Sequence, residues 1–219
     1  MRRLLALVAL LGLAGCGGGS TPSTTGTTAP AQARRDSHGC LRVAAPAPRG
    51  ERSEPKPPAH TGARTATVAT SCGTFVIRLD AKRAPKTTAS FASLAHRGFY
   101  DGLTFHRVAA GFVIQGGDPT GSGSGGPGYS VVEPPPRSLR YVRGTVAMAK
   151  APNEASGTSG SQFFVVTARE ASNLTPDYAL VGTVVSGQGV VDRIGAEPTS
   201  PPQDGAPVNP VRIDSIRVR

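Results

Sequence analysis

Two short segments, residues 105–118 (FHRVAAGFVIQGGD) and 160–164 (GSQFF), constrain the fold of this 219-residue chain more than any other feature. Each mixes aromatic, polar and small residues with the period of two that a β-strand imposes, successive side chains pointing to opposite faces. Each therefore sets a polar donor near an aromatic ring on one face. An arginine beside an aromatic floor suits something small, apolar and carbonyl-bearing.

Between and around them the pattern is one of short strands. Residues 66–70 and 73–79 alternate and are joined through Ser71-Cys72-Gly73, which reads as a β-hairpin. Pro85 suits the first turn of a helix whose apolar face is Phe91, Leu94 and Ala95, and Gly98 is placed to end it. Residues 99–108 read as extended and 121–128 as a loop; strands follow at 146–148 and 163–166, separated by the polar stretch 152–161. A second helix holds Val190, Val191 and Ile194, with Gly195 at its end. Residues 208–218 alternate in two phases, which a bulge near Asp214 and Ser215 would reconcile. Many short strands with two helices favour a mainly β domain built as a closed antiparallel barrel capped at its ends.

The first 65 residues differ in kind. Arg2-Arg3 precede LLALVALLGLAG, an apolar run short for a membrane span and suited to a secretory signal. It runs into Leu13-Ala14-Gly15-Cys16, which looks like a bacterial lipobox. The expectation is a signal peptide over 1–15, lipidation at Cys16 and a mature protein anchored on the outer face of the cell membrane. Residues 16–65, rich in Gly, Ser, Thr and Pro and then basic, cannot bury enough apolar surface to offset their ordering entropy and read as a disordered linker. With Cys16 lipidated, Cys40 and Cys72 remain in a disulfide-permissive compartment, and a bridge between them would order the Leu41-Arg42-Val43 piece against the domain. The net charge of +10 falls to +8 without Arg2 and Arg3, and half of that surplus lies in the linker, where it would reinforce attachment to an anionic membrane. Export separates the chain from nucleic acid, so no nucleic-acid partner is expected.

The segments FHRV, QGGD, GTVAMA (144–149) and GSQFF, in that order after a strand pair at Cys72-Gly73-Thr74-Phe75 and a helix from Pro85, resemble the cyclophilin-type peptidyl-prolyl cis/trans isomerases. The resemblance spans residues 66–219. It implies an eight-stranded antiparallel barrel capped by two helices, isomerisation of X-Pro bonds in proline-containing polypeptides, and a monomer. It implies Arg107 as the catalytic residue. It further implies a proline pocket formed by Phe112, Val113, Phe164 and Leu174, with Gln115 and Gln162 holding the substrate backbone and Ala149 lining the adjoining groove. His106 points opposite to Arg107 on the strand and reads as a packed histidine.

The implied chemistry needs no nucleophile, metal or cofactor. Amide resonance sets a barrier of about 18–20 kcal/mol to rotation of the X-Pro bond. A donor aimed at the prolyl nitrogen favours pyramidalisation and stabilises the twisted state over both planar ones.

The chain departs from familiar members in four ways. Val113 stands where many carry Met; Asn173 and Leu174 occur without the family's frequent Trp; Tyr178 takes a His position; and residues 151–157 form a longer segment. Tyr178 can still donate a hydrogen bond in the binding site. Binding of cyclosporin, the family's macrocyclic inhibitor, is expected to be weak.

Other motifs carry less. GSGSGG (121–126) satisfies GxGxxG but leads into Pro127-Gly128 instead of a helix N-terminus, so a dinucleotide site is rejected. Ser159 and Ser161 lie in no GxSxG elbow. The alternative from another class is a proline-recognising binding or chaperone module with little turnover; the presence of Arg107 favours the enzyme.

Overall fold

The computed structural model describes residues 34–50 and 53–219. The signal peptide expected over 1–15 and the lipidation expected at Cys16 lie outside the described residues.

Alternating sequence becomes alternating burial from the first strand onward. β1 (Thr65–Thr70) and β2 (Gly73–Leu79) form the expected hairpin, with Val68 pairing Phe75 and both side chains fully buried. α1 (Pro85–His96) begins on Pro85 without a side-chain cap of its own. Its first backbone N–H groups are satisfied from a distance, Glu133 accepting from the N–H of Lys86 at 3.1 Å and of Thr87 at 2.7 Å, where a carboxylate also suits the helix dipole. Residues 99–108, expected to be extended throughout, instead turn at 99–102, where Gly98 and Gly102 have positive φ. Only then do β3 (Thr104–Phe105) and β4 (Arg107–Ala109) begin.

The remaining strands are β5 (Val113–Gly116), β6 (Val131–Val132), β7 (Thr145–Met148), β8 (Thr158–Ser159), β9 (Phe163–Val166) and β10 (Leu180–Ser186). After α2 (Gln188–Gly195) come β11 (Thr199–Ser200), β12 (Asp204–Pro207) and β13 (Val211–Val218). Pairing runs β4-β5-β9-β7-β10-β2-β1-β13-β3, all antiparallel, and β3 continues through His106 into β4, so the ring returns to its starting segment. Counted as one bent strand, β3 and β4 complete the eight-stranded barrel. β13 carries the anticipated bulge: Ala69 faces Ser215 and Thr70 faces Ile213, leaving Asp214 unpaired and letting both phases of the run point Ile213 and Ile216 inward.

Side chains facing the barrel interior form the main core, among them Val68, Phe75, Ile77, Val108, Ile114, Val146, Val165 and Ile216. Phe163 is its aromatic centre, meeting Phe91, Tyr100 and Phe105 edge-on at centroid distances of 5.6, 5.7 and 5.9 Å. α1 packs against β13 and β10, α2 against β2 and β5.

Cys40 and Cys72 form a disulfide. Both are buried in the main core, and Leu41 donates to the Ser71 carbonyl at 2.8 Å. The described residues of the linker expected over 16–65, namely 34–50 and 53–65, are therefore not loose chain. Backbone N–H groups of Arg49 and Glu54 bond the carbonyls of Pro119 and Pro127, both at 2.8 Å, and the Arg49 guanidinium bonds the Asp101 carbonyl. A covalent anchor makes this possible, because a segment already held at Cys40 loses less entropy on lying down. Glu197, only 4% exposed, sits beside the bridge with its carboxylate within 4.8 Å of both sulfurs.

Candidate active site

The strands that face the core on one side carry a second apolar cluster on the other. On β4, β5, β9 and β7 the residues Val108, Ile114, Val165 and Val146 point inward. Their neighbours Ala109, Val113, Phe164, Val166 and Ala147 point outward and pack together with Tyr141 and Ala171. Phe112, Ala149, Leu174 and Tyr178 are partly buried against this outer cluster. The register explains the grouping: Arg107 pairs Gln115, Gln115 pairs Phe164, and Phe164 pairs Ala147, one row across the outer face.

Polar groups run along this row in a chain. The Nη1 of Arg107 donates to Gln115 Oε1 at 3.2 Å, and Gln115 Nε2 donates to Gln162 Oε1 at 3.0 Å. Gln162 Nε2 donates in turn to the carbonyls of Gly123 and Gly125, at 2.9 and 3.0 Å. Asp118 organises the same glycine loop from beneath, accepting from the Thr120 hydroxyl and the N–H groups of Thr120, Gly123 and Gly125. Burial opposes the Asp118 charge, but these donors outweigh it and hold the carboxyl below its ordinary range. A groove of about 750 Å³ opens beyond, lined by Gln115, Gln162, Ala149 and the glycine loop.

Two close approaches fix the loop and the rim. Gly117 has φ of +89°, and a Cβ there would stand 2.6 Å from the Ser161 carbonyl oxygen, so QGGD and GSQFF can meet only through a glycine. Ser161 Oγ seals the contact by donating to the Gly117 carbonyl at 2.7 Å. Across the site Tyr141 clamps Tyr178: its hydroxyl donates to the Tyr178 carbonyl at 2.7 Å and accepts from the Tyr178 N–H at 3.0 Å. Burial pushes the Tyr141 hydroxyl up to about 12, so it remains a donor. The Tyr178 ring meets Phe164 edge-on at 5.5 Å, and Lys150 lies 5.8 Å above it while pairing with Asp177 at 2.8 Å. Lys150 also donates to the carbonyls of Ala151 and Glu154, which pins the longer 151–157 segment to the Tyr178 side.

The structure thus brings Arg107, Phe112, Val113, Gln115, Ala149, Gln162, Phe164, Leu174 and Tyr178 to one face. His106 stands elsewhere. It lines a separate cavity of about 300 Å³ with Pro46, Pro48 and Asp118, where burial pushes it towards the neutral form against the pull of Asp118. Two site residues have no counterpart in the sequence reading. Tyr141 is a lone aromatic with no periodic partner, and Asp204 lies in a Pro/Gly-rich stretch that resembles a loop. Asp204 bonds Arg107 through both carboxylate oxygens, Nε to Oδ1 and Nη2 to Oδ2, each at 2.7 Å. That pairing raises the Arg107 pKa and lowers that of Asp204, and the nearby Tyr178 hydroxyl adds slightly to the first shift.

Residues 65–218 match the family model of the cyclophilin-type peptidyl-prolyl cis-trans isomerases. The chain is 39% identical over 172 residues to the probable peptidyl-prolyl cis-trans isomerase A of Mycobacterium leprae, covering 70% of this chain and 91% of that protein. It is 40% identical over 171 residues to the peptidyl-prolyl cis-trans isomerase B of Streptomyces anulatus, covering 70% and 95%. Among solved structures, a Cryptosporidium parvum cyclophilin-type isomerase superposes with a TM-score of 0.65 at 28% identity, over 72% of this chain and 98% of that one. The same protein crystallised in the presence of the dipeptide Ala-Pro gives 0.64 at 29% identity, over 71% and 98%.

Proposed function

The chain belongs to the cyclophilin-type peptidyl-prolyl cis/trans isomerases, and from that we propose that Arg107 is its catalytic residue and the outer apolar cluster its proline pocket. The observation that carries the assignment is the row Arg107, Gln115, Phe164, which sets a permanently charged donor beside an aromatic wall. The proline ring enters between Phe112, Val113, Phe164 and Leu174, with Tyr178 at the rim. Gln115 and Gln162 hold the peptide backbone, and the residues before the proline lie along the groove past Ala149. The guanidinium then meets the prolyl nitrogen as the amide twists, drawing the lone pair out of conjugation. Since the donor gains most when the bond is perpendicular, it lowers the barrier without holding either planar isomer.

We propose further that the enzyme is exported and lipid-anchored through Cys16, and that it acts on exported or cell-envelope polypeptides. The lipobox-like run supports this, and so does the Cys40–Cys72 disulfide, since such bridges persist in oxidising compartments. Radiolabelled palmitate incorporation lost in Cys16→Ala tests the anchor.

The catalytic assignment is tested by cis-to-trans conversion of a short Ala-Pro peptide. Arg107→Ala is expected to lower kcat by about a hundredfold, the scale of losing a transition-state donor, with an unchanged melting temperature. A variant as fast as the parent overturns the assignment.

A further inference from the structure

We propose that Asp204 is the positioning residue for Arg107, holding the guanidinium so that one edge faces the prolyl nitrogen. The inference rests on the assignment of Arg107 as the donor.

An arginine side chain has many rotamers, and a donor that must meet one atom in a short-lived geometry works only if it is already aimed. Two edges of this guanidinium are engaged. Asp204 takes the Nε and Nη2 side through two parallel bonds of 2.7 Å, the bidentate fork that fixes both direction and plane. Gln115 takes one hydrogen of Nη1 at 3.2 Å. Each terminal nitrogen carries two hydrogens, so one on Nη1 and one on Nη2 keep no hydrogen-bond acceptor among the described residues. That pair can address the prolyl nitrogen and an adjacent carbonyl together.

The fold places the carboxylate there by a dedicated device. β12 adds to the open edge of β4, pairing Asp204 with Ala109 and Gly205 with Val108, and this sets Asp204 diagonally beside Arg107. β11 turns back onto β12, and Gly205 accommodates the tight hairpin, since a Cβ there would lie 2.6 Å from the Ser200 carbonyl. The partners are well exposed, Arg107 at 38% and Asp204 at 52%, and an ion pair so wet adds little to stability. What it does supply is orientation. The cost is a partial cancellation of the arginine charge, which the reaction tolerates because the prolyl nitrogen needs an aimed N–H more than a net field.

The experiment uses the folded enzyme with an Ala-Pro peptide and compares the parent, Asp204→Ala, the isosteric Asp204→Asn, and each combined with Arg107→Ala. Asp204→Ala is expected to lower kcat about tenfold while changing KM less than twofold, as for a donor misaimed only at the twisted state. Asp204→Asn, retaining one acceptor, falls between. The Arg107 Nε–H signal in NMR moves towards that of a free guanidinium. In the Arg107→Ala background the Asp204 substitutions change nothing, because the group they aim is gone. A parent-like kcat in both single variants overturns the proposal, and so does an Asp204 effect undiminished in the Arg107→Ala background. If Arg107→Ala itself is as fast as the parent, the assignment beneath the proposal falls first, and the two failures are told apart.

Discussion

The two faces of β4, β5, β9 and β7 use similar residues for opposite ends. Phe163 and Phe164 are adjacent, yet Phe163 is enclosed by Phe91, Tyr100 and Phe105, whereas Phe164 looks out beside Tyr141 and Tyr178. The inner cluster is closed by other elements of the barrel. The outer one is closed only in part, its rim formed by Phe112, Leu174 and Tyr178, all incompletely buried. The difference teaches that a β-barrel can build its binding surface from the residues its core does not use. The strand period keeps the two in fixed relation, so a site on the outer face inherits the rigidity of the inner one.

That contrast can be broken most sharply at the adjacent phenylalanines. Phe163→Ala is expected to cost about 3–5 kcal/mol in urea unfolding, the usual toll for emptying an enclosed aromatic site, with kcat/KM per folded molecule unchanged. Phe164 is itself 5% exposed but is roofed by the incompletely buried Phe112, Leu174 and Tyr178, which can settle into the space. Phe164→Ala is therefore expected to cost less, about 2–3 kcal/mol, and to reduce kcat/KM about tenfold, as for removing a hydrophobic wall of a substrate pocket. Equal stability losses, or activity lost in both, would show that the faces are not separable.

The disulfide belongs to the inner side of the comparison. Cys40→Ser is expected to destabilise by about 3–4 kcal/mol under oxidising conditions, on the loop-entropy estimate for a separation of 32 residues. It should make no difference in reductant, and kcat should stay constant in both.

The smallest effect is one of pH. Burial, and then the charge of Asp36, raise Glu197 to about 7 from an ordinary 4.5. Between those values the folded protein keeps a proton that the unfolded chain releases, so this contribution to stability is full below 4.5 and is lost as pH rises through 7. Asp36 acts in the opposite sense at lower pH. Burial works against its charge, but donors from Cys40, Asn209 and His38 hold its pKa down, so its contribution is present above its ordinary 3.8 and is lost as pH falls. Melting curves from pH 5 to 8 should decline for the parent and stay flatter for Glu197→Gln, with catalysis indifferent to the change.

What was legible in the sequence was what depends on periodicity and counting. The two phases of the last strand locate the bulge near Asp214 and Ser215, whereas Arg107, Gln115 and Phe164 were legible only through the resemblance of their segments to a family, and it is the strand register that sets them in one row. The cysteine pairing followed from having two candidates left. Asp204 was illegible because its partner is 97 residues away and its strand, Asp-Gly-Ala-Pro, has none of the β-branched residues that advertise one. Tyr141 acts through its hydroxyl on the backbone of Tyr178, a contact that leaves no trace in hydrophobic pattern. Residues 41–60 look like loose chain because their composition is loose. They are held by backbone N–H groups of Arg49 and Glu54, which any residue but proline could supply.

The position of the bridge has a mechanical meaning. A pull applied at Arg34 passes the non-covalent contacts of Arg35 with Leu41 and of Asp36 with Asn209, then meets a covalent link at Cys40 and passes through Cys72 into the hairpin of β1 and β2. The hydrogen bonds of Arg49 to Pro119 and Glu54 to Pro127, which lead to the glycine loop beside the groove, lie beyond that link and carry none of the load. Tension entering along the chain at Arg34 is thus grounded in the barrel wall, and the groove is shielded from it.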